Sequence, residues 1–268
     1  MPRGKRNNNK ALQKQIHDIV DRKLDHEIEV KYGLKDDPDK ILTRNIISGN
    51  VAGNANFFRM MPNIHQSGNV PGGTPEVGQY NQRIGNEIIL KKLRIHGNIS
   101  YNASNTDVVN FENAKLAVRV MVLRAKNISD VQELFAQMPT DTLLRFGGDT
   151  TNGVGSYGGF TMDSFRDINR NTFAVRYDKV HYLNAPVLLP GTTAPDVSLV
   201  PSGLKIIKHD LTFGKNGLKL KFENNTDLQP NNMPYFLVIG YTSMSSSAQP
   251  DNQLVRASFS FVSEYTDA

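Results

Sequence analysis

The 268-residue chain predicts an all-β fold, a single eight-stranded antiparallel jelly roll behind a basic, partly helical N-terminal arm. Two observations carry the β domain and a third carries the arm. Strict period-2 alternation runs through Leu218-Lys219-Leu220-Lys221-Phe222 and through Leu93-Arg94-Ile95-His96-Gly97-Asn98-Ile99-Ser100-Tyr101, so each strand offers one apolar and one polar face. Clusters such as Gln66-Ser67-Gly68-Asn69-Val70-Pro71-Gly72-Gly73 and Pro230-Asn231-Asn232-Met233-Pro234 separate the apolar runs and mark loops. Residues 1–14 carry Arg3, Lys5, Arg6, Lys10 and Lys14 and no acid.

The arm is expected over residues 1–40. Behind its cationic tip, Leu12, Ile16, Ile19 or Val20, Leu24 and Ile28 recur every three to four residues, which predicts one face of an amphipathic helix ending near Tyr32-Gly33. Asp36-Asp37-Pro38-Asp39 then reads as an acidic linker, with an inter-subunit calcium site as the sharper alternative, because carboxylate clusters suit hard cations. The β domain is expected over 41–268, with strands near 41–48, 54–61, 87–101, 115–124, 171–183, 204–213, 217–222, 234–242 and 253–264. One short helix is expected after an N-cap at Ser129, through Asp130 to Phe135, closed by Met138-Pro139. This strand number, with long unequal loops, favours the jelly roll. An immunoglobulin-type sandwich is the alternative, but the chain has no Cys and no Trp for the core of that fold.

Composition excludes several chemistries. Without cysteine there are no disulfides, thiolate nucleophiles or thiolate metal ligands, which points to a reducing compartment or a particle assembled in one. The first ten residues are basic and Asn-rich, unlike a secretory signal, and no run reaches the roughly 18 apolar residues of a membrane span. Gly153-Val154-Gly155-Ser156-Tyr157-Gly158 fits GxGxxG, but glycines flank it where a strand and a helix are required; it reads as a surface loop. The six histidines, His17, His26, His65, His96, His181 and His209, include no His-x-His pair for a cupin-type metal centre. Asp178, beside Lys179 in a basic-aromatic strand, reads as half of an inter-subunit or structural ion pair. No enzyme activity, metal or cofactor is expected.

Four segments then carry a family resemblance. Tyr80 to Gly97, with Arg83-Ile84-Gly85 ahead of a basic-apolar strand, resembles a segment of capsid proteins from small circular Rep-encoding single-stranded DNA (CRESS-DNA) viruses. Ala117-Val118-Arg119-Val120-Met121-Val122-Leu123-Arg124 looks like the next strand of those proteins. Tyr235 to Thr242 and Val255 to Phe261 look like their closing strand pair. The resemblance covers roughly residues 44–268. It implies a viral-capsid jelly roll that self-assembles into an icosahedral shell of about 60 copies or more, packages viral single-stranded DNA, meets a host-cell receptor and resides in the virion and in the host nucleus or cytoplasm. Many members begin with a dense Arg-rich tract, whereas here five spaced bases precede the expected helix. Arm-plus-helix tails also resemble those of some small plus-strand RNA virus coats.

Charge arithmetic selects the expected contacts. Sixty tips of five bases bring about 300 positive charges, against about 800 phosphates in a gene for this chain alone. The tip residues Arg3, Lys5, Arg6, Lys10 and Lys14 therefore need help: from Lys91, Lys92, Arg94, Lys219 and Lys221 on a basic inner face, from polyamines and metal ions, or from a shell of more than the minimal copy number, and Lys92, Arg94, Lys219 and Lys221 are the contacts expected there. A β-sandwich carbohydrate-binding module, whose basic strands are merely solvated, is the reading from a different class.

Overall fold

The computed structural model describes residues 13–16, 29–46, 55–67, 81–102, 111–126, 142–146, 153–185, 203–233 and 235–268. Among them eleven strands form: β1 (Lys31–Leu42), β2 (Phe57–Arg59), β3 (Glu87–Tyr101), β4 (Lys115–Ala125), β5 (Leu144–Arg145), β6 (Val154–Gly155), β7 (Phe173–Asn184), β8 (Leu204–Thr212), β9 (Leu218–Lys221), β10 (Tyr235–Ser243) and β11 (Val255–Asp267). The fold is all-β, and every paired strand in it is antiparallel. One sheet has the order β1-β11-β3-β8, with β9 also on β3, and the second has the order β2-β10-β4-β7. A two-stranded ribbon, β5-β6, stands apart.

The core lies between the two large sheets. Along β3 the alternation places Ile88, Leu90, Leu93, Ile95, Ile99 and Tyr101 inside, and a bulge opposite Glu264/Tyr265 resets the period around Lys91. Each strand of this sheet thus keeps one wet face, as an antiparallel sheet can. β10 differs, being buried at all nine positions. Its Leu237 sits opposite Phe58 and faces the first sheet, where Phe58 packs edge-on against Phe259 of β11 at 5.2 Å. Its Phe236 points the other way, to Phe57 and Phe173, each 6.0 Å distant, and the segment after β6 covers that side.

Two glycines mark close approaches. A Cβ on Gly97 would collide with the Ser258 carbonyl and the Phe259 ring, so the bare backbone of β3 makes room for Phe259 of β11. A Cβ on Gly240 would lie 2.6 Å from the Tyr157 ring, because the buried Tyr157 lies flat on β10.

Most expected strands form within two or three residues of their places, and β3 spans the expected 87–101. The first strand is the main correction. It is Lys31–Leu42 rather than 41–48, so the expected domain boundary at residue 40 falls inside β1, and Tyr32-Gly33 is strand rather than helix end. Asp36-Asp37-Pro38-Asp39 is likewise no linker: it belongs to the edge strand, with Pro38 where the ladder shifts between Asp37 and Lys40 and Asp39 at φ 55°. Pro is tolerated on an edge because no neighbour needs its missing N–H. The expected helix at 129–135 lies outside the described residues. Of the arm, residues 13–16 form a helical turn.

Gly153-Val154-Gly155-Ser156-Tyr157-Gly158 corrects another expectation. It is not a surface loop: Val154-Gly155 pairs with Leu144-Arg145, and Tyr157 is fully buried and bridged to Ile46. No phosphate-cradling helix follows, only a 3-10 turn at Thr161–Ser164.

Candidate nucleic-acid interface

The bases expected on the inner face of a shell lie on the side of the first sheet that is turned away from the core, and the register of that sheet fixes their neighbours. Arg94 on β3 stands opposite Val262 on β11 and Asp210 on β8, and Lys92 opposite Glu264 and Thr212. Lys92 and Arg94 do point outward on one side of the pleat, but both meet carboxylates. Lys92 Nζ lies 2.6 Å from Asp210, and Arg94 donates to Glu264. On β9, Lys219 and Lys221 share Glu87 at 2.6 and 3.6 Å. Arg256 on β11 meets Asp39 of β1 at 3.0 Å. The face is a lattice of opposed charges rather than a bare basic wall.

These pairs shift the acids. The hydrogen bond from Lys92 holds the Asp210 carboxyl below the usual carboxylate range, and the one from Lys219 does the same for Glu87. A depressed folded pKa contributes stability that is present above the unfolded value and is lost as pH falls through the folded one. The window is therefore acidic, and the contribution is small because both carboxylates are largely solvated. A phosphate reaching this face must displace a carboxylate already in contact with the base.

The arm bases divide differently. Lys14 is exposed on the helical turn at 13–16, and Arg3, Lys5, Arg6 and Lys10 lie outside the described residues. Within the chain Asp37 pairs with Lys35 at 2.8 Å and Lys40 at 3.8 Å, and Asp39 with Arg256 at 3.0 Å. No group of three or more His, Asp or Glu side chains among the described residues is placed to hold a metal. His209 instead meets the Tyr177 ring at a tilt of 38°, centroids 4.6 Å apart, and burial lowers its pKa.

Two arginines inside the resemblance segments have structural roles that sequence reading missed. Arg83 is fully buried. It donates to the carbonyls of Gly85, Asn224, Asn225 and Asp227, the last three at 2.9, 3.2 and 3.1 Å, and lies over the Phe222 ring at 4.1 Å. Arg119, 4% exposed, grips Asp178 with two nitrogens at 2.8 and 2.6 Å. Its remaining nitrogen donates to the carbonyls of Asp163 and Arg166 at 2.9 and 2.7 Å. Asp178 is thus in a structural ion pair, but its partner is Arg119 and not the expected Lys179. The available signal was an arginine in an otherwise apolar strand, since buried guanidinium groups require partners.

Cations without a carboxylate partner among the described residues lie elsewhere. Arg124 and Arg176 flank the Tyr235 ring at 5.9 and 5.7 Å, with an Arg176 nitrogen 3.1 Å from the Tyr235 hydroxyl. No helix among the described residues is long and apolar enough to cross a membrane. No protein-family model matches the chain, and no curated protein is similar to it.

A charge-removal experiment follows from the lattice. If Lys92 and Arg94 can meet phosphate, Asp210→Asn with Glu264→Gln should free them and steepen the log-log salt dependence of single-stranded DNA binding by about one to two units. Fluorescence anisotropy across a salt series reads the slope; an unchanged slope removes this face from the interface.

Proposed function

We propose that the chain is the subunit of a viral capsid, an eight-stranded jelly roll that self-assembles into an icosahedral shell and packages single-stranded nucleic acid. The observation that carries the reading is strand order. β8 and β9 run collinearly along β3, so they count as one interrupted strand. With the β5-β6 ribbon set aside, the strands numbered one to eight then read 1-8-3-6 and 2-7-4-5 in the two sheets. The pairs 1 with 8, 2 with 7, 3 with 6 and 4 with 5 are those of one long antiparallel ribbon rolled into a double sheet, the arrangement of capsid jelly rolls. The DNA-virus resemblance adds the genome type, with a plus-strand RNA coat as the alternative. In this reading the partners are further copies of the chain, the genome and a host-cell receptor, and no catalysis or cofactor is assigned.

Packaging then rests on the cationic tip, because ion pairs offset much of the outer face of the first sheet. The same pairing favours a second reading, a carbohydrate-binding sandwich with solvated strands. Salt titration separates the two. A packaging protein should lose nucleic-acid binding steeply as salt rises, since each phosphate contact releases a counterion; weak, salt-insensitive binding overturns the packaging reading.

A further inference from the structure

The segment after β6 lies across the outer face of the second sheet and is fixed there by buried and part-buried polar contacts. The Asp163 carboxylate accepts the N–H groups of Gly158 and Phe160 at 2.9 and 3.1 Å. The Thr161 hydroxyl donates to the carbonyls of Ser243 and Ser246 at 3.0 and 3.1 Å, and Ser164 bonds to Thr242 at 2.7 Å. Arg119 holds the carbonyls of residues 163 and 166 from beneath. A segment tied down so closely has the means to bury its apolar side chains. It instead leaves Phe160, Met162 and Phe165 51%, 59% and 55% exposed, and Val154, which lines one recess with Phe160, 42% exposed.

The size of the patch bears on its occupant. A large side chain offers roughly 150–250 Å², so these four leave about 400 Å² of apolar surface in water. That is within the range of patches that are functional on soluble proteins. It is also about half of the roughly 800 Å² that each partner contributes to a standard interface, which is what the apolar centre of such an interface requires.

We propose that residues 160–165, with Val154, form the centre of a contact with a second copy of this chain. A base-stacking surface fits less well: Met162 and Val154 offer no ring, and the nearby Arg166 is neutralised by Asp163 and lies over Phe146, 3.8 Å from its centroid. The proposal rests on the shell reading, to which it adds a place of contact.

The test compares wild-type protein with Phe160→Ser/Phe165→Ser by sedimentation velocity, thermal melting and assay of protected nucleic acid. The expected variant melts within a few degrees of wild type and its assembled fraction falls at least tenfold. Assembly equal to wild type overturns the contact, as do intact particles that have lost their nucleic acid, which would make the patch a base platform. If wild type forms no shell, the shell reading fails by itself; a concentration-dependent wild-type dimer lost in the variant would still support the contact, and monomers of both would contradict it. Should the double variant fail to fold, Met162→Lys, at the most exposed of the four positions, is read by the same criteria.

Discussion

Arg119→Met should destabilise the fold by about 3 kcal/mol, within the range for breaking one side of a buried charge pair. The reason is the number of groups that depend on one guanidinium. Asp178 loses both of its short contacts, and the carbonyls of Asp163 and Arg166 lose their donor under the segment that covers β10. Methionine fills much of the volume but offers no N–H, so buried acceptors remain unpaired, each at a cost of about 1–3 kcal/mol. For a chain of this size the loss corresponds to roughly 6–12 °C in Tm. Lys179→Ala is the control and should stay within about 0.5 kcal/mol. Equal melting of wild type and Arg119→Met would mean that the clamp contributes nothing.

Phe259→Ala should cost about 3–5 kcal/mol, the range for deleting a buried Phe. Phe259 is 3% exposed, meets Phe58 edge-on at 5.2 Å and lies alongside Phe261 at 6.0 Å. Gly97 has no side chain where this ring passes, so β3 offers nothing at that point to fill the cavity. Arg256→Ala, on the wet face of the same strand, loses a surface pair with Asp39 and a long hydrogen bond to Asn102 at 3.4 Å and should fold normally. Chemical denaturation of both variants tests the face assignment, which is inverted if Arg256→Ala proves the more damaging.

Strands with one wet face were legible in the sequence because burial and pleat share a period. β3 and β9 are examples, with Lys92, Arg94, Lys219 and Lys221 outward as expected. Their electrostatic partners were not legible: Arg94 meets Glu264 across 170 residues, and that neighbour appears only once β3 and β11 are in register. β1 was missed because it is an edge strand whose Pro38 and aspartates imitate a linker, while its carboxylates are balanced by Lys35, Lys40 and Arg256 from its own strand and from β11. The burial of β10 on both faces also eluded sequence reading, since nothing local announces that Tyr157 and the turn after it will cover Gly240. The exposed Phe160, Met162 and Phe165 carry no periodic signal, and only the fixed path of the backbone reveals that they are held outward.

In the proposed reading this subunit closes into a shell around nucleic acid. Electron microscopy of the purified recombinant protein before and after nuclease treatment tests it most directly. Closed isometric particles of uniform diameter, retaining nucleic acid that nuclease cannot digest, are the expected result. A monodisperse monomer across salt and concentration, with no protected nucleic acid, would contradict it.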